Sequence, residues 1–146
     1  MTQTTTAVSA CGAVIEVDNT GGTPVNVSGA ANKAELSLNR QIGSAFTFEG
    51  SSPVRVECKK DGTLKLTILY TTANDEGFDI LADWYDSGGS RTVGIWPSGV
   101  NTGHRYFTGE YLVQDMNIPL DVSSPDPVMV TATLLPDGAI NLANVP

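Results

Sequence analysis

The stretch TLKLTILY, residues 63–70, constrains the fold of this chain more than any other. Leu64, Leu66, Ile68 and Tyr70 fall on one side of an extended backbone, and Lys65 and Thr67 fall on the other. A period of two marks a strand with one face in a core and one outside it; a helix would scatter the same four residues around its axis. Shorter runs of the same kind fill most of the chain: GAVIEVD at 12–18, PVNVS at 24–28, AELSLNR at 34–40, VRVEC at 54–58, RTVGIW at 91–96, RYFTGEYLVQDMNI at 105–118 and VMVTATLL at 128–135. Clusters of Gly, Pro, Asn and Asp separate them, as in DNTGGTP at 18–24, which is the chemistry that tight turns demand. KKDG at 59–62 carries the Asp-Gly pair of a hairpin and is expected to join VRVEC to TLKLTILYT, and LPDGAINLA at 135–143 is expected to form another.

Two segments depart from this pattern. In TTANDEGFDILADWYDSGG, residues 71–89, Thr72 with Asp75 three positions on resembles a capping box and Gly88-Gly89 a stop, which predicts one α-helix over about 72–86. At roughly 100° per residue, Phe78, Leu81, Ala82 and Tyr85 form an apolar stripe, Asp75, Glu76, Asp79, Asp83 and Asp86 fill an acidic arc, and Ile80 and Trp84 occupy a third sector. Either this helix is wedged deeply into the fold or a neighbouring subunit covers its Ile80–Trp84 side. Residues 40–53, RQIGSAFTFEGSSP, read as a long loop or an extended hairpin arm. Phe46 and Phe48 share a face there; they either fold back onto the core or anchor the arm in an assembly.

The rest of the chain excludes more than it assigns. At 146 residues and 40% hydrophobic content it suffices for one ordinary domain. Sixteen Asp+Glu against 8 Lys+Arg give a formal charge of −8, the wrong sign for gripping nucleic acid by its phosphates. The N-terminus has no basic, apolar leader pattern, and Cys11 and Cys58 are expected to be buried thiols of a reducing compartment. His104 is the only histidine, and no GxSxG, GxxxxGK[ST], HExxH or CxxC motif is present, so no catalytic residue, metal ligand or cofactor is assigned and an enzyme is not expected. The acidic arc reads as a solvated face, a contact for a partner's basic groups, or a Ca²⁺ or Mg²⁺ site. Carboxylates spread along one helix seldom converge on an ion, which favours the first. Trp84 and Trp96 have a nearer explanation as packing residues than as sugar platforms.

The order GAVIEVDNTGGTPVNVSG, then LSLNRQIGSAFTFEGSSPVRVECKKDGTLKLTILYTTANDEGFDILADWY, then YLVQDMNIPLDVSSPDPVMVTATLLPDG resembles the tail tube (major tail) proteins of siphovirus-like, long-tailed phages, over about residues 12–138. The resemblance implies a mainly β fold, an antiparallel β-sandwich or barrel with one flanking helix, in a single domain over 12–142. A short N-terminal arm (1–11) and a C-terminal tail (143–146) would order on assembly. It implies hexameric rings stacked into a helical tube around a tape-measure protein, bounded by tail terminator and baseplate or tip proteins. Double-stranded DNA would pass through that tube without specific binding during ejection. The location implied is the virion tail, assembled in the cytoplasm of the bacterial host, with no membrane. Many relatives carry a further surface domain, for which residues after 138 leave no room. On this reading residues 40–53 are the inter-subunit loop, and Arg40, Ile42, Phe46, Phe48, Ile80 and Trp84 are candidate subunit and ring contacts. The strand acids Glu35, Glu57 and Glu110 are candidates for the lumen, since the family's sheet walls the bore. Other classes fit the same pattern: a capsid decoration or head–tail joining protein, and a carbohydrate-binding β-sandwich module.

Overall fold

The computed structural model describes residues 7–146. In chain order its elements are β1 (Val14–Asp18), β2 (Pro24–Asn26), β3 (Ala31–Ala45), β4 (Val54–Leu69), α1 (Gly77–Ser87), β5 (Arg91–Trp96), β6 (Arg105–Asn117), β7 (Met129–Pro136) and β8 (Asn141–Asn144). All ladders are antiparallel, in the order β2-β1-β5-β6-β7-β4-β3, with β8 on the part of β6 that β7 does not reach. The mainly β fold with one flanking helix expected from the alternation is the observed one.

The core lies on one face of this sheet. Leu64, Leu66 and Ile68 of β4 are fully buried and meet Val130, Ala132 and Leu134 of β7 across the ladder, each directly opposite a residue of the same face. Ile15 and Val17 of β1 and Val93 and Ile95 of β5 join the same cluster. Residues of the far strands share one cluster because the sheet curls: a groove between them is lined by Ile15 and Ile95 on one side and by Ala34, Leu36 and Leu38 of β3 on the other. Helix α1 closes the core with Ile80, Leu81 and Trp84.

The helix begins at Gly77, five residues later than the capping-box signal suggests. Thr72 takes no part in a cap. Asp75 sits in left-handed backbone at φ 61°, and its N–H is bonded instead by the Asp79 carboxylate at 2.9 Å. Gly77 marks the true start because a Cβ there would stand 3.2 Å from the Ala30 Cβ; the first turn is pressed against the loop after β2. The buried set is Gly77, Ile80, Leu81 and Trp84. This arc lies on one side of the point opposite the acids and the stripe of Phe78, Leu81, Ala82 and Tyr85 on the other; the sheet covers the Ile80–Trp84 side, and Tyr85 is exposed.

Both expected Asp-Gly hairpins are absent. Asp61 and Gly62 continue β4 straight through, opposite Asn39 and Leu38 of β3, so VRVEC and TLKLTIL are one strand. Gly62 serves close approach rather than a turn: a Cβ would come within 2.8 Å of the Ser37 carbonyl oxygen and 3.1 Å of Ile140 Cδ1. After Pro136 the chain does not double back on β7. It makes a short jog through Gly138, at φ 119°, and resumes along the same edge of β6 as β8. Residues 143–146 are therefore no free tail. Ala143 and Asn144 lie in β8, and Val145 exchanges backbone hydrogen bonds with His104 and Gly103, both at 2.8 Å. Of the expected N-terminal arm, 1–6 lie outside the described residues, and Ala10–Gly12 form a single exposed 3-10 turn. Cys11 and Cys58 are exposed thiols, because one sits in that turn and the other on a strand with no cover.

Candidate functional site

The structure gives 40–53 a definite form. β3 and β4 pair as far as Ala45 and Val54, but β7 accompanies β4 only from Leu64 to Leu69. Beyond that point the two strands leave the sheet as a ribbon with no third strand beside it. Every residue of 37–61 is exposed except Pro53, which is half-buried. An isolated two-stranded ribbon is marginal in water. This one is held by its ladder and by an ion pair across it, Arg40 to Glu57. It presents Ile42, Phe46, Phe48, Val54 and Val56 to solvent, with Phe46 at 76% and Phe48 at 111% relative exposure. Phe46 and Phe48 therefore do not fold back onto the core. Val54 and Val56, which the sequence reading missed, alternate along the same ribbon.

The ribbon also concentrates positive charge. Arg40, Arg55, Lys59 and Lys60 are half of the chain's eight Lys+Arg, against Glu49, Glu57 and Asp61 in the same span, so residues 39–61 carry +1 and the remainder −9.

Ile80 and Trp84 do not belong with this surface. Trp84 is wholly buried and Ile80 nearly so, and the alternative of a helix wedged into its own fold holds. The indole Nε1–H donates to the Gly89 carbonyl at 2.8 Å, closing the turn after the helix. The Arg91 guanidinium lies 5.8 Å from the ring centroid. Arg91 is itself buried, and it donates to the carbonyls of Asp18 and Ile80 and to Ser87 Oγ.

Two of the three strand acids lie on the face opposite the core. Glu35 stands beside Lys65, itself opposite Thr133, which in turn pairs with Asp115; Glu110 stands beside Thr92. Glu16 of β1 alternates with buried Ile15 and Val17 and so shares that outer face, a position the sequence reading passed over along with Asp18 and Asp115. The face is mixed rather than uniformly acidic, since Lys33 binds Glu35 at 2.8 Å. The hydrogen bond from Lys33, with its charge, holds the Glu35 carboxyl below its ordinary value. Glu110 accepts a hydrogen bond from Thr92 Oγ1. Burial first, then the charge of Glu110, push the neighbouring Asp18 carboxyl above its ordinary value. Glu57 is on the ribbon, bound to Arg40, away from this face.

Asp75 and Glu76 precede α1, Asp83 and Asp86 lie on it, and all four are exposed; among the described residues no three metal-ligating side chains converge. His104 is exposed, at the turn into β6, where its N–H closes on the Asn101 carbonyl.

This architecture has close structural counterparts. A chain from the tail of an empty gene transfer agent particle, determined by helical refinement with sixfold symmetry, superposes with a TM-score of 0.73 over 94% of this chain and 99% of its own, at 11% identity. A chain of the SPP1 tail tube gives 0.74 over 94% and 80%, at 10% identity. A chain of the anti-feeding prophage baseplate, symmetrised sixfold, gives 0.74 over 98% and 99%, at 16% identity. No protein-family model matches the chain, and no curated protein does. The fold is that of phage and injection-system tail tube proteins.

Proposed function

We propose that this chain is the structural subunit of a phage-type tail tube. Copies close into hexameric rings, and the rings stack into a helical tube whose bore admits a tape-measure protein during assembly and double-stranded DNA at ejection. The observation that carries the reading is the ribbon at 39–61, which a monomer has no use for. It exposes five large apolar side chains on a structure that contributes nothing to the core. Arg40, Ile42, Phe46 and Phe48 are the contacts by which it engages neighbouring copies. The whole-chain likeness to chains of a tail with sixfold symmetry, of a sixfold-symmetrised baseplate and of the SPP1 tail tube supports the same role.

The outer face bearing Glu16, Glu35, Glu110 and Asp115 is the wall of the bore. Its Thr residues and paired charges present no cationic patch to phosphates, so DNA slides past without a binding site. Glu57, neutralised by Arg40, contributes little to the field there.

Electron microscopy of the purified protein at low and high concentration, with sedimentation alongside, tests this directly. Rings or hollow tubes are expected. A monomer at every concentration, or a single ring or trimer that never elongates, overturns the tube; retention of that monomer on glycans would favour a binding module.

A further inference from the structure

The four most exposed large apolar side chains among the described residues are Phe48 at 111%, Val122 at 106%, Leu120 at 80% and Phe46 at 76%. They form two pairs, and the topology puts the pairs at opposite ends of the molecule. Phe46 and Phe48 precede Val54, the first residue of β4. Leu120 and Val122 lie in the β6–β7 loop, 118–128, which springs from Asn117 and returns at Met129; Met129 is opposite Leu69, the last residue of β4. β4 has 16 residues. At about 3.3 Å per residue the two patches are separated by roughly 50 Å along the strand axis.

A two-fold dimer joined end to end would seat one patch on its own copy and leave the other bare, and one laid side by side would close after two copies and build no tube. A head-to-tail repeat along the strand axis covers both, and it propagates because it does not close. Charge agrees with that pairing. The ribbon carries a net +1, with Arg55, Lys59 and Lys60 behind the Phe pair and Glu49 beside Phe48, whereas no Lys or Arg occurs after Arg105, and the β6–β7 loop holds Asp121 and Asp126 with Asp115 on the strand before it. The receiving loop is also stiff. Pro119, Pro125 and Pro127 restrict it, and the Asp121 carboxylate accepts from Ser123 N–H at 3.0 Å and Ser123 Oγ at 2.7 Å, so little order is lost on docking.

We infer that the Phe46–Phe48 tip of one copy seats on Leu120 and Val122 of the β6–β7 loop of the next copy along the axis, making the ring-to-ring contact heterologous and polar. This rests on the tube reading above and names the surface that receives the arm. A heterologous contact has a donor and an acceptor that fail separately, and this gives the test. Phe48→Glu removes the donor and Val122→Glu the acceptor; both side chains are fully exposed, so both variants should melt with the wild type.

Each variant alone should form no tubes. Mixed after purification, the intact arm of Val122→Glu should dock on the intact loop of Phe48→Glu once, giving two-layer particles by electron microscopy and a sedimenting species of twice the mass, with no longer tubes. Val122→Glu elongating like the wild type would overturn the inference, since the arm would then have another receptor. Tubes from both variants would overturn it while leaving the tube reading intact, and so would a mixture in which nothing pairs while the wild type forms tubes. A wild type that never assembles would overturn both.

Discussion

Replacing Trp84 by Ala should cripple the fold, not the assembly. Trp84 is fully buried under the sheet, donates its Nε1–H to the Gly89 carbonyl and carries the Arg91 guanidinium on its ring. Truncating a buried Trp costs about 3–5 kcal/mol through lost burial and the cavity left behind. The lost hydrogen bond leaves a carbonyl in a turn that water can reach, so it adds little. Arg91 loses its apolar support and its bonds to the helix end become solvated, which puts the total toward the upper end of that range. Domains of this size are stable by only about 5–15 kcal/mol, so the loss is a large fraction of the whole. With a urea slope of about 2 kcal/mol/M the unfolding midpoint should fall by about 2 M. Tyr85→Ala, one residue along the same helix but 58% exposed, is the control, and should change stability by no more than about 0.5 kcal/mol. If Trp84→Ala unfolds with the wild type and only fails to form tubes, the helix is an interface after all and the core described above is wrong.

Other consequences follow from single positions. Gly62→Val should destabilise by about 1–3 kcal/mol in urea unfolding, because the new Cβ meets the Ser37 carbonyl where the ribbon leaves the sheet and backbone has to move. Gly94→Ala places a methyl 2.6 Å from the Trp96 ring and should drive it off its stack with Tyr106, visible as a change in tryptophan emission with a smaller loss of stability. Asp18 binds its proton more tightly folded than unfolded, so its contribution is present below the unfolded carboxyl range and lost as pH rises through the folded value. Asp18→Asn should therefore melt higher than wild type near neutrality, and the difference should vanish near pH 3; a constant gap would refute the linkage. Both cysteines of the unassembled chain should react with a thiol reagent without denaturant, and protection of either would contradict its exposure.

The strands were legible because a buried face repeats every second residue, and Leu64, Leu66 and Ile68 or Ile15 and Val17 cannot satisfy that period any other way. What the pattern could not supply was where strands stop. Asp61-Gly62 offers the same local chemistry whether the chain reverses or passes close to a neighbour, and only the position of Ser37 and Ile140 decides between them. The same holds at Asp137-Gly138, where pairing with β6 wins over a hairpin with β7. On the helix, the apolar residues span two sectors that flank the face opposite the acids almost equally, so periodicity could not say which one the sheet covers. The ribbon was visible as an oddity in 40–53, but its full length was hidden by the false turn at KKDG. The Leu120–Val122 loop passed unnoticed because two aliphatic residues among prolines and serines look like any connection until their exposure is known.

Arg91 sets a condition on how the helix stays in place. Its hydrogen-bond acceptors are two backbone carbonyls and a serine hydroxyl, one of the carbonyls being that of Ile80 inside the helix. None of these groups gains or loses a proton in ordinary acid or base, and the guanidinium does not either. A carboxylate partner would have loosened as the surroundings became acidic, whereas this latch should hold while the sixteen surface and strand acids are being neutralised. Acid should therefore change the charge that each copy presents before it changes how that copy is built.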